Sequence, residues 1–106
     1  MVIERLGVYL VKLDPAVGAE MRKTRPCLVL SPEEMNRSVR TVILAPLTGT
    51  RKHFPYRVDC VFQGREGQIA LDQMRSLDRS RFVHRLCQLD TSTAQRVGRT
   101  LLQLFG

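Results

Sequence analysis

Long apolar runs are missing from this chain. No window of its 106 residues approaches the roughly 18 consecutive apolar positions that a membrane-crossing helix requires. The opening Met1-Val2-Ile3-Glu4-Arg5 lacks a basic stretch followed by an apolar one, the pattern of an export signal. A soluble cytoplasmic protein is the expectation. Cysteine is scarce and ill-spaced for chemistry: Cys27, Cys60 and Cys87 are odd in number and form no C-x-x-C pair. Two of them lie inside apolar runs, which reads as buried, reduced thiols. His, Cys and carboxylates never cluster at ligand spacing, so neither a metal nor another cofactor is expected. Repeats, low-complexity stretches and linkers are absent too, and a single domain over residues 1–106 is the reading.

Acidic residues and lysine are also in short supply. Ten Asp and Glu face seventeen Lys and Arg, a formal charge of +7, and arginine outnumbers lysine by fourteen to three. A guanidinium makes planar, two-pronged contacts with phosphate, so this balance favours a polyanionic partner such as nucleic acid, or an acidic protein. With 43% apolar and 25% charged residues the chain has the composition of a folded domain rather than a disordered one.

Short β-type runs punctuated by proline and glycine dominate what is present. Val8 to Leu13 reads as a strand ended by Asp14-Pro15, and Cys27 to Leu30 as a second. Ser31-Pro32-Glu33-Glu34 supplies a cap, a proline at the first helical position and a capping-box glutamate, predicting a short helix over 32–37. Thr41 to Ala45 is a strand stopped by Pro46, and Tyr56 to Phe62 alternates as a half-buried strand does. Gly64 and Gly67 bracket a turn, and Gln68 to Leu77 holds another strand or two. From Asp90 or Thr91 the period changes: Ala94, Val97, Leu101 and Leu104 recur at helical spacing. Five or six strands with one internal and one C-terminal amphipathic helix predict a mainly β fold, a small SH3-like twisted β-barrel.

Lys23-Thr24-Arg25-Pro26 runs straight into the apolar Cys27-Leu28-Val29-Leu30. Proline keeps the residue before it out of helix, so a guanidinium is delivered at the start of a strand, a rigid place from which to address phosphate. A second polar and basic stretch, Thr48-Gly49-Thr50-Arg51-Lys52-His53-Phe54-Pro55, lies between two strands, where loops often carry binding residues.

The ordered set Leu13-Asp14-Pro15 with Gly18 and Glu20, then Lys23 to Ser31, then Ala45-Pro46-Leu47-Thr48, then Asp72 to Asp78 resembles the PemK/MazF-like toxins of type II toxin-antitoxin systems. The likeness covers roughly residues 5 to 104. It implies a sequence-specific mRNA interferase that cuts single-stranded RNA without metal. In that chemistry a ribose 2'-OH attacks the adjacent phosphorus, leaving a 2',3'-cyclic phosphate and a 5'-OH. It also implies a homodimer, held inactive by a cognate acidic antitoxin, with DNA reached only through that antitoxin.

By the same resemblance Arg25 and Thr48 are the catalytic positions. A guanidinium keeps its proton, so Arg25 suits stabilisation of phosphorane charge, while the Thr48 hydroxyl can donate without carrying charge. Glu20 and Asp72 are candidates for accepting a proton or orienting the arginine. Lys23, Thr24, Arg51, Lys52, His53, Phe54, Gln73 and Arg75 are the expected RNA contacts, with Phe54 available for stacking. Ala19 and Ala70 stand where some members carry His and Arg, so a mechanism leaning on those two groups is excluded here. His53 and His84 as an acid–base pair find no support in their spacing. The competing class is a non-catalytic, toxin-derived barrel that binds nucleic acid or protein.

Overall fold

A computed structural model describes residues 1–13 and 24–106. Among these residues seven strands and two helices follow in the order β1 (Gly7–Lys12), β2 (Thr24–Val29), α1 (Glu33–Ser38), β3 (Thr41–Thr48), β4 (Arg57–Phe62), β5 (Arg65–Ala70), β6 (Arg75–Asp78), β7 (Phe82–Gln88) and α2 (Thr91–Phe105). Single 3₁₀ turns, Leu71–Gln73 and Arg79–Arg81, flank β6. The strands form one antiparallel sheet in the order β4-β5-β3-β2-β1-β7, with β6 pairing beside β5 on the same side of β3. It curls into a half-barrel, the mainly β architecture expected.

The central strands are buried on both faces, alternate side chains pointing into two separate cores, while β4 and β7 at the ends of the sheet expose much of theirs. Val8, Leu28, Ala45, Leu47 and Ile69 form one core, closed by Val97 of α2. Tyr9, Val11, Cys27, Val29 and Leu44 form the other, with Ile3 and Phe82. α2 starts where the Asp90 carboxylate accepts the Thr93 amide at 3.0 Å, a cap that satisfies a helix-end donor. Burial of a side chain such as Val97 stabilises the fold by about 1.5–3 kcal/mol.

Two sequence expectations about prolines need correction. Pro46 does not stop β3, which continues to Thr48. Ile43 turns its amide and carbonyl toward the β2 side, so Pro46, three residues on, faces the other side. There β3 changes partner, from β6 at Leu44 to β5 at Leu47, and no donor is missed. Pro26 likewise lies inside β2. Leu30 aims its amide at Ile43 of β3, so residue 26 faces β3 as well and has no proton to give. The β2–β3 ladder accordingly ends at Cys27 opposite Pro46.

Three further differences have local causes. Ser31 and Glu34 build no capping box; α1 begins after Pro32 without a side-chain cap, and Ser31 turns inward to accept the Ile43 amide and bond Asn36. Gly64 makes the β4–β5 hairpin with Gln63, both at positive φ, but Gly67 lies within β5. β7 escaped the sequence reading. Against β1 it carries two extra residues, between Val8 and Tyr9 and between Leu10 and Val11, and these bulges break the alternation that marks a strand.

Candidate active site

Where the β2–β3 ladder ends, the two strands part. Carrying the register one step past Cys27 and Pro46, and then another, sets Arg25 opposite Thr48 on the same face. Both residues line a cleft of about 590 Å³ on one side, with Gly49, Arg65 and Gly67, and a second of about 300 Å³ on the other, with Lys52, Arg57 and Gln73. Among the described residues the smaller cleft has three cationic side chains in its wall and no carboxylate. Among the described residues no ion pair engages Arg25, which is exposed.

Thr48 is half-buried, and its Oγ1 accepts the Thr50 amide at 3.1 Å. That contact fixes the oxygen and leaves the hydroxyl proton to donate into the cleft. Gly67 makes the placement possible: a Cβ there would sit 2.7 Å from the Thr48 carbonyl oxygen.

Asp72 meets a different arginine from the one expected. Its carboxylate takes Arg57 Nε at 2.6 Å and Nη2 at 3.2 Å, a two-pronged pair in which the Arg57 side chain is only 5% exposed. Hydrogen bonding from Arg57 holds this carboxyl below its usual range, which makes it a weak proton acceptor. Arg51, expected at RNA, bridges Asp59 at 3.4 Å and Glu66 at 2.9 Å. Thr24, His53 and Phe54 are exposed, as are Gln73 on its 3₁₀ turn and Arg75 at the start of β6. His53 lies in the loop before β4 and His84 on β7, and these strands are at opposite ends of the sheet. Glu20 and Lys23, with Asp14, Pro15, Gly18 and Ala19, lie outside the described residues.

Cys27, two residues on in β2, turns its thiol to the Arg25 carbonyl at 3.6 Å. Burial pushes its thiol up to about 12, against the opposing pull of Arg25 and then Arg75. Wholly buried and absent from the lining of either cleft, it is an inert core thiol rather than a nucleophile. Two residues with clear positions near the site were missed in the sequence: Arg57, whose pairing with Asp72 depends on the β4–β5 register, and Gln68, a polar side chain 5% exposed inside β5. Only the single polar residue in an otherwise apolar Gln68-Ile69-Ala70-Leu71 hinted at the second.

Residues 4–105 match the family model described as the PemK-like, MazF-like toxin of type II toxin-antitoxin systems. The chain belongs to this family. Its relatives include the endoribonuclease EndoA of Bacillus subtilis, 32% identical over 95% of this toxin and 92% of that protein. The endoribonuclease PemK of Escherichia coli is 33% identical over 72% of this toxin and 61% of its own length. Among solved structures, MazF of Deinococcus radiodurans superposes with a TM-score of 0.81 at 30% identity, covering all of this toxin and 98% of that chain. A MazE–MazF crystal from the same organism gives 0.83 at 29% identity, with 100% and 97% covered. Among the toxin's described residues no helix is long and apolar enough to cross a membrane.

Proposed function

We propose that this endoribonuclease toxin cuts single-stranded mRNA at a short sequence by attack of a ribose 2'-OH on the neighbouring phosphorus, giving 2',3'-cyclic phosphate and 5'-OH ends. The observation that carries the reading is the meeting of Arg25 and Thr48 at the parted ends of β2 and β3, on a cationic wall. Arg25 neutralises charge developing on the phosphorane oxygens, and Thr48 donates its remaining proton to one of them. With Asp72 committed to Arg57, the acidic residue assigned to the 2'-OH proton is Glu20. Lys52, Arg75 and Gln73 hold the flanking backbone and base edges, and Thr24, Lys23 and His53 extend that surface. Arg51 takes the nearby phosphates only through whatever charge Asp59 and Glu66 leave it.

The toxin works in the cytoplasm as a homodimer, which enlarges a groove that one small domain offers only in part. A cognate acidic antitoxin occupies that groove and carries the DNA contacts of the complex. The +7 charge supports such a partner. The deciding experiment is cleavage of a long transcript in excess EDTA by wild type and by Arg25→Ala, with the new ends sequenced. Cleavage by the wild type alone, with 5'-OH ends, is expected. Equal cutting by both proteins removes Arg25 from the mechanism, and RNA binding without cutting by either favours the non-catalytic barrel.

A further inference from the structure

The segment between β3 and β4 has no helix or strand, yet it is fastened at its middle by one buried side chain. Gln68 of β5 accepts the Lys52 amide on Oε1 and donates Nε2 to the Lys52 carbonyl, both at 3.0 Å. Its amide thus grips the Lys52 backbone by its donor and its acceptor at once, as a facing strand residue would. The second proton of Nε2 goes to Asp59 Oδ1, also at 3.0 Å. A reversed amide would set its oxygen against a carbonyl and a carboxylate, so the orientation is dictated by its partners.

Two residues beyond the clamp stands Phe54, half exposed at 48%. The Arg57 guanidinium lies 5.2 Å from the ring centroid, and the Arg57 amide donates to the Phe54 carbonyl at 3.2 Å. Being almost wholly buried and forked onto Asp72, Arg57 backs the ring from the protein side. Lys52 Nζ, on an exposed and flexible stem, lies 5.6 Å from the same centroid, where an incoming base can displace or share it. An aromatic ring held at two points beside two cations has the makings of a base-stacking platform.

We infer that Gln68 is a positioning residue for sequence readout: by clamping Lys52 it presents Phe54 to one unpaired base beside the scissile phosphate. The Asp72–Arg57 pair serves the same end from beneath the ring. This inference rests on the RNA-cleaving reading above. Gln68 itself touches neither RNA nor the reacting atoms, so its loss alters which sequence is held rather than how fast a held phosphate reacts.

The test compares wild type, Gln68→Met, Phe54→Ala and their double variant on a long transcript and on a short oligonucleotide carrying a site the wild type cuts. Gln68→Met keeps the buried volume while removing all three hydrogen bonds. The expected result is KM raised about tenfold by either single change, the scale of one lost base stack, with kcat within about twofold. Cut sites on the transcript spread to sequences the wild type ignores. The double variant is no worse than the single ones, because both changes remove one platform. Should Gln68→Met fold poorly, Asp72→Asn loosens the platform from the surface side and is expected to shift KM and cut sites the same way. An unchanged cut pattern, a fall in kcat at constant KM, or additive effects in the double variant would overturn the inference while leaving wild-type cleavage intact. Absence of cleavage by the wild type strikes the nuclease reading itself.

Discussion

The β2–β3 pair has one sealed end and one open end. At the sealed end Leu30 donates to the Ile43 carbonyl at 2.8 Å, Ser31 Oγ accepts the Ile43 amide and donates to Asn36 Oδ1, and Asn36 returns Nδ2 to the Ser31 carbonyl. Ser31 and Asn36 are 2% and 1% exposed, and every polar atom there has a partner. At the open end Arg25 and Thr48 face each other across a cleft with no ladder between them. One pair of strands therefore differs from end to end: polar satisfaction secures the fold at one, and interrupted pairing leaves side chains free at the other for the chemistry proposed above.

The largest expected effect belongs to the open end. Arg25→Ala should lower the cleavage rate on the order of a hundredfold to a thousandfold while leaving thermal stability unchanged, as checked by single-turnover kinetics beside a melting curve. The sealed end should give the mirror image. Asn36→Ala leaves the Ser31 hydroxyl proton and carbonyl without partners, a cost of about 2–3 kcal/mol, read as a melting temperature lower by about 10–20 °C. Activity per folded molecule should persist below that transition. A loss of activity at full folding would show that the two ends are coupled.

Gly67→Ala sharpens the comparison by touching both roles at once. The added methyl meets the Thr48 carbonyl, so β3 or β5 must shift, at about 1–3 kcal/mol of stability, and cleavage should fall in the same variant. Unchanged activity would mean that Thr48 tolerates displacement. The smallest effect concerns pH. Hydrogen bonds from Arg57 hold the Asp72 carboxyl below its usual value, so its contribution to stability is complete above the ordinary carboxylate range and fades as pH falls through the lowered one. Asp72→Asn should flatten that acid-side decline by lowering stability at neutral pH while leaving it little altered in acid, as denaturant melts across pH would show.

Much of this fold could be read from local pattern. β4 and α2 announce themselves by period, since each presents one regular set of side chains to a core, and β1 by an apolar run ended at Asp14-Pro15. β7 does not, because its bulges change which residues pair with β1 partway along. In the sequence Pro46 reads as a stop, on the rule that proline lacks a ladder donor. The rule holds, but which side of β3 the missing donor faces is decided by strand order, a tertiary fact. The site divides likewise. Arg25 and Thr48 stand in an ordered motif set and could be singled out from it. The pairing of Arg57 with Asp72 and the grip of Gln68 on Lys52 join residues fifteen and sixteen positions apart through the β4–β5 register, and nothing in their neighbours foretells it.

Pro26 gives the cleft an unusual kind of doorstop. Bulky side chains can wedge two strands apart, but they can also be repacked. Here one nitrogen at the decisive place has no hydrogen, so the rung to Leu47 that would carry the ladder past Cys27 lacks one of its two donors. Any other residue at position 26 restores that hydrogen and lets the next rung form with Leu47, drawing Arg25 and Thr48 together. The reward is added backbone pairing, and the loss is the space that the proposed mechanism gives to a phosphate. Selection for a steadier barrel and selection for a working one thus pull this single position in opposite directions.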